Sequence, residues 1–286
     1  MVTHLVSIAG GGIAGSGVAR YIKLSEELMC NTLVRSRDAA CIGNSVGSMN
    51  AAAFAVGMSG KQLDHLYDEN YKGIFGTKRI SGRAKFGGLY CDKYVNALLK
   101  KEFDVSLGEL SGQHIFITAW DAVKRDVKVF SSEDKKDKDI PLWQAVRASM
   151  SAPTYFEPFG NYFDGGLCCN DPAMVGADAL RMLYGKDLCF RVARFVTSGR
   201  QPSGKAPQKN EFVTTTLTKH LIPAMTMGNS ANVNFSLKAN GHDVFTIRPF
   251  TPDYDLADTH FVAECRTIWE NEFKTTGESF VNFWLK

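Results

Sequence analysis

No apolar run in this chain reaches the roughly 18 residues that a membrane-spanning helix needs. No Cys/His spacing of the metal-binding kind occurs either. Seven cysteines are present, but the number is odd, and Cys168 and Cys169 are adjacent, which suits a disulfide pair badly. Reduced thiols in a reducing compartment are expected. An excess of one charge is also lacking: a net +3 does not by itself argue for nucleic acid. There is no internal repeat and no low-complexity segment. Nothing reads as a secretory leader, since a glycine turn already begins at Gly10. What remains is the make-up of an ordinary soluble core, 44% hydrophobic and 22% charged. A cytoplasmic protein without a cofactor is the expectation.

The hydrophobic pattern alternates between strand and helix. His4–Ala9 is a short apolar run ended by glycines, and Ser16–Met29 follows with Val18, Tyr21, Ile22, Leu28 and Met29 on one helical face. Ala39–Ile42 is a second short strand, and the small residues Ser48–Ala53 open a second helix. Strand, turn and helix twice over predict an α/β fold with a parallel sheet. Further on, the pattern predicts a helix over Asp92–Glu102 and strands over His114–Trp120 and Val127–Ser131. Glu133–Asp139 reads as a solvated loop. Pro141 suits the first turn of a helix capped near Asp139 and running to about Met150. Pro172–Leu183 reads as a helix, Leu188–Thr197 and His242–Arg248 as strands. Phe261, Cys265, Ile268, Trp269 and Phe273 mark one face of a C-terminal helix. Residues 198–209 are too short for a domain linker, so one domain over 1–286 is expected, its motif-bearing core at about 4–200 and 201–286 completing it. Between Lys72 and Tyr90 lies a glycine-rich stretch with Lys72, Lys78, Arg79, Arg83 and Lys85 and no acid, interleaved with Ile74, Phe75, Ile80 and Phe86.

The chemistry is carried by three short motifs. Gly43-Asn44-Ser45-Val46-Gly47 has the G-x-S-x-G form of a nucleophile elbow. Such a tight strand-to-helix turn projects a serine hydroxyl from the sheet edge and crowds the residues two before and two after it, here Gly43 and Gly47. Gly10-Gly11-Gly12-Ile13-Ala14-Gly15 also follows a strand and precedes a helix. It matches the dinucleotide fingerprint G-x-G-x-x-G, which expects an acidic residue at the end of the second strand. The elbow stands there instead, and Asp38 precedes that strand. The other use of such a turn is an oxyanion hole, with backbone N–H donors around Gly10, Gly11 and Gly12, helped by Val46.

The third motif is Asp164-Gly165-Gly166, after the apolar Tyr162-Phe163. Two arrangements fit a serine nucleophile. In one, Asp164 works with His220, His242 or His260 as a triad, although only about two strands fit before Ser45 where that fold has several. In the other, Asp164 at a strand end is itself the base, its pKa raised by desolvation.

Taken in order, the motifs resemble the patatin-like phospholipases. That family carries a glycine-rich oxyanion motif after its first strand, then G-x-S-x-G, then Asp-Gly-Gly or Asp-Gly-Ala. Arg147–Pro153, Tyr155–Pro158 and Asn170-Asp171-Pro172 also resemble the family around its aspartate. The likeness spans roughly residues 5–200. It implies a three-layer α/β/α fold with a central, mostly parallel sheet. It implies a metal-independent Ser45–Asp164 dyad, Gly10, Gly11, Gly12 and Val46 at the oxyanion, and Gly15, Gly43, Gly47, Gly165 and Gly166 as supports. The implied substrate is a phospholipid or other acyl lipid, with transient membrane-surface contact and an activating partner or ligand that the sequence does not name. One departure stands out. The family often has Asp ahead of its first glycines and Arg or Lys before the last, where this chain has Ala9 and Ala14.

Overall fold

The computed structural model describes residues 2–33, 38–75, 88–197, 199, 222–252 and 254–286, with 222–228 by backbone alone. Lys78, Arg79, Ile80, Arg83, Lys85, Phe86, His220 and most of the expected loop at 198–209 lie outside the described residues.

The strands are β1 His4–Ile8, β2 Ala39–Asn44, β3 Ile115–Asp121, β4 Asp126–Ser131, β5 Tyr162–Asp164, β6 Arg191–Phe195 and β7 Asp243–Ile247. Among the described residues they form one sheet in the order β4-β3-β2-β1-β6-β7, with β5 also paired to β3. β1, β2, β3, β6 and β7 run parallel, whereas β4 and β5 pair antiparallel to β3. β1 is buried along its whole length, as a central parallel strand covered on both faces must be. Its alternate residues divide between the faces. Val6 and Ile8 join one core with Cys41, Val46 and Tyr21, while Leu5 joins the other with Ala40, Ile42 and Phe116.

The helices are α1 Gly15–Met29, α2 Val46–Ala55, α3 Gly60–Phe75, α4 Lys93–Glu102, α5 Leu142–Ser149, α6 Gly166–Cys169, α7 Ala173–Tyr184, α8 Ile222–Ala239 and α9 Val262–Leu285. α1, α2, α3, α5 and α9 supply the larger core, and α7 and α8 the smaller. The result is the three-layer α/β/α arrangement. Tyr21 on α1 sits edge-on to Phe195, Trp269, Phe273 and Phe280, locking α1, β6 and α9 together. No helix among the described residues is long and apolar enough to cross a membrane.

Several local expectations need correction. Leu28 faces solvent, because the stripe of α1 passes through Val18, Tyr21, Ile22 and Ser25 instead. α5 is not capped by Asp139: extended Pro141 takes the N-cap position and no side chain closes the turn. The Glu133–Asp139 loop is not wholly solvated. Asp137 is buried, bonded to Lys128 Nζ and to the Ser131 N–H. α3 has no counterpart in the sequence reading. Lys72 to Phe75, the head of the basic stretch, is its last turn, with Ile74 and Phe75 in the core.

The sheet order reverses direction at β1, with β2 on one side and β6 on the other. Ligands of open α/β sheets bind in the crevice beyond the carboxyl ends of the strands at such a reversal. The glycine turn leaves β1 there, the elbow leaves β2, and Thr197 follows β6.

Candidate active site

Ser45 directly follows β2 and is the N-cap of α2. Its backbone stands at φ 50°, ψ −134°, a left-handed region costly to a residue with a side chain. Two features hold it there. Its N–H donates to Ser149 Oγ at 2.8 Å, and that hydroxyl donates to the Thr118 carbonyl at 2.7 Å. Its carbonyl accepts the Ser48 N–H at 3.0 Å, closing the first turn of α2. The turn is tight enough that a Cβ at Gly47 would strike the carbonyl oxygens of Ile8 and Ala9. A Cβ at Gly10 would lie 2.8 Å from Ser45 Cβ, so the glycine turn and the serine face each other across the crevice.

Asp164 reaches the same place through strand pairing. β2 follows β3 only as far as Asn44 opposite Thr118. When the chain turns off at Ser45, β5 takes up β3 at the next residue, Asp164 opposite Ala119. The aspartate thus begins where the elbow departs. Its N–H donates to the Ser151 carbonyl at 3.0 Å, and its Oδ1 accepts the Gly166 N–H at 2.7 Å. Oδ2 is buried and meets no donor in full hydrogen-bond geometry among the described residues. Burial pushes the Asp164 carboxyl up to about 6, against the smaller lowering effects of the nearby Ser45 hydroxyl and the Gly166 N–H. The serine is half-buried and the aspartate buried.

The glycine turn is rich in open donors. The N–H groups of Gly10, Gly11 and Gly12 meet no backbone carbonyl among the described residues. Val46 occupies the first position of α2, where an N–H has no acceptor within its own helix. Gly15 packs its backbone against Val46 and Tyr67, and Gly165 against the Thr118 carbonyl. Ala9 and Ala14 are both buried, and Ala14 belongs to the larger core. A basic side chain in place of Ala14 would have to displace that packing.

The residues converge in this way, whereas His242 and His260 do not. His242 precedes β7 at the opposite, amino-terminal end of the sheet, where it stacks on Phe190 and accepts the Phe190 N–H. His260 is exposed in the turn before α9. Arg147 is also committed elsewhere. It is buried and donates to Asn96, Ser151, Asp92 and the Glu157 carbonyl, so it braces the segment before Asp164 rather than facing a phosphate.

Sequence reasoning missed four neighbours. Ser149 supports the elbow. Asn44 is fully buried, and neither amide atom is bonded among the described residues; it lies between Gly10 and Gly166. Thr197 donates its hydroxyl to the Gly10 carbonyl, and Tyr254 donates to the Gly11 carbonyl at 3.2 Å. Thr197 was open to discovery as a hydroxyl at the end of a buried strand. Tyr254 comes from a distant segment with no local signal.

The sequence profile of the patatin-like phospholipases matches residues 6–176, more than half of the chain and all three motifs. This chain belongs to the patatin-like phospholipase family. Among relatives, an intracellular phospholipase A2 of Caenorhabditis elegans is 26% identical over 186 residues, 60% of this chain and 16% of that protein. A cGAMP-activated phospholipase of Pseudomonas aeruginosa is 24% identical over 186 residues, 60% of this chain and 55% of its own. An 85/88 kDa calcium-independent phospholipase A2 of Rattus norvegicus is 52% identical over 52 residues, 18% of this chain and 6% of that protein. The chain spans less than two thirds of the length of each. A cavity of about 560 Å³ beside α3 and α4, lined by Met58, His65, Tyr94 and Lys101 among others, does not include Ser45 or Asp164.

Proposed function

We propose that this patatin-like chain is a serine acyl hydrolase that cleaves carboxylic esters of phospholipids or related acyl lipids, with Ser45 as nucleophile and Asp164 as general base. The observation that carries it is the handover of β3 from β2 to β5, which puts a buried carboxylate beside a strained, half-exposed serine. Asp164 accepts the Ser45 proton as Oγ attacks the acyl carbonyl. The carbonyl oxygen becomes an oxyanion, met by N–H donors of Gly10, Gly11, Gly12 and Val46. Collapse expels the alcohol or lysolipid, which takes the proton from Asp164 and leaves an acyl–Ser45 ester. Water then attacks that ester while Asp164 takes a proton from it, and the fatty acid departs as Ser45 is reprotonated. A base with a pKa of about 6 is ionised at neutral pH, yet more basic than an ordinary aspartate.

Family membership favours this use of the glycine turn over dinucleotide binding, and β2 ends in Asn44 rather than a ribose-binding acid. The calcium independence in the name of the rat relative is in keeping with a dyad that needs no metal. We also propose that residues 1–286 form one domain that works at membrane surfaces from the cytoplasm.

The test is reaction with a fluorophosphonate, followed by mapping of the adduct. Labelling of wild type on Ser45, and none in Ser45→Ala, is expected. A folded wild type that takes no label would overturn the nucleophile assignment and favour a silent lipid-binding module. Labelled protein that cleaves short soluble esters but ignores liposomes would keep the chemistry and change the substrate. One relative is named as activated by cGAMP, so the liposome assay carries an arm with that ligand.

A further inference from the structure

Two hydroxyls that none of the motifs contains meet the glycine turn on its carbonyl side. Thr197 is buried two residues beyond β6 and donates to the Gly10 carbonyl. Tyr254, stacked on Phe261 with ring centroids 4.7 Å apart, donates to the Gly11 carbonyl at 3.2 Å. The Gly11 carbonyl also accepts the Ala14 N–H at 3.2 Å.

A trans peptide carries its C=O and N–H on opposite sides of one plane, and the described chain has no cis peptides. Fixing the Gly10 carbonyl therefore fixes the Gly11 N–H, and fixing the Gly11 carbonyl fixes the Gly12 N–H. The direction follows from the sheet. β1 lies between β6 and β2. The Gly10 carbonyl faces Thr197 on the β6 side, so the Gly11 N–H faces away, toward the β2 side where Ser45 stands. The glycines agree: a Cβ on Gly11 would run into Thr197, and one on Gly10 would approach Ser45. Glycine peptides have little of their own to resist rotation, being free to take many φ/ψ values. Oxyanion donors work by being aimed before the reaction begins. A turn of three glycines needs something outside itself to aim it.

We propose that Thr197 and Tyr254 are positioning residues that orient the Gly10–Gly11 and Gly11–Gly12 peptides, so that the N–H groups of Gly11 and Gly12 face the oxyanion formed at Ser45. This rests on the serine-hydrolase function proposed above. Neither residue touches the reacting atoms. Their loss acts on the transition state and leaves ground-state binding and the base alone.

The experiment compares wild type, Thr197→Val, Thr197→Ser and Tyr254→Phe. It measures kcat and KM on a short soluble acyl ester, the fluorophosphonate labelling rate, and Tm. Because removing an oxyanion donor outright costs about 10²–10³-fold, a misaimed donor in Thr197→Val should lower kcat and labelling by roughly 10- to 100-fold. KM should stay within about twofold and the pH midpoint should not move. Thr197→Ser, which keeps the hydroxyl, should restore most of the rate. Tyr254→Phe should fall in the same direction by a smaller factor, and it carries the test alone if Thr197→Val does not fold. An active wild type beside folded variants of unchanged kcat overturns the positioning role only, as does a Thr197→Ser as slow as Thr197→Val. A wild type that neither turns over ester nor takes the label overturns the hydrolase proposal and this one with it.

Discussion

In the proposed mechanism Asp164 is the base, and its burial also bears on stability. Its carboxyl is raised by burial from the ordinary 3.8 to about 6. As a base it must be ionised, so kcat on a soluble ester should rise about tenfold per pH unit below 6 and level off above it. A rate that is flat from pH 4 to 8 would remove Asp164 as the base. Stability runs the opposite way. Between about pH 4 and 6 the folded state holds a proton that the unfolded state has lost, so stability falls as pH rises through that window and is flat above it. A shift of about two units is on the order of 3 kcal/mol. Asp164→Asn carries no such charge. It should be more stable than wild type at pH 8 and gain little at pH 4, while losing about 10²–10⁴-fold in kcat. Urea unfolding of both proteins at the two pH values checks the sign.

Among the elements, the elbow depends on close backbone approach and on one serine hydroxyl. Gly47→Ala places a methyl 2.8 Å from the Ala9 carbonyl oxygen and nearer still to that of Ile8, which should cost about 1–3 kcal/mol as overpacking and displace Ser45. Lower Tm together with lost labelling is the expected pair of results. Ser149→Ala leaves the Ser45 N–H without its acceptor, worth about 1–3 kcal/mol when buried, and should slow labelling more than it lowers Tm. Much at this scale was legible in the sequence, because the signals were local. Gly43, Ser45 and Gly47 mark a strand-to-helix turn by spacing alone, and Asp164 follows two aromatic residues at a strand end. Ser149 lay unnoticed inside the Arg147–Pro153 segment that carried part of the family resemblance. Its role needs the pairing of β2 and β3, which no local pattern encodes. Leu28 misled because an apolar residue near a helical stripe was counted as part of it.

For the whole molecule, the crevice exists because helices on both faces keep the sheet fixed. The α1–α9 packing is the largest part of that support, with Tyr21, Trp269, Phe280 and Trp284 fully buried. Trp269→Ala should cost about 3–5 kcal/mol, seen as a lower urea midpoint, with kcat per folded molecule unchanged. The class of fold was readable from the strand–turn–helix rhythm. The strand order was not, since it depends on which hydrophobic faces meet over long separations. The same limit hid Tyr254, which comes from far along the chain to meet Gly11. In the proposed mechanism Ser45 and Asp164 together hydrolyse acyl lipids without a metal. The most direct test is free fatty acid release from mixed phospholipid liposomes in the presence of chelator. Release by wild type, with none from Ser45→Ala and a trace from Asp164→Asn, is the predicted result. Release that survives Ser45→Ala, or that stops when the chelator is added, would contradict it.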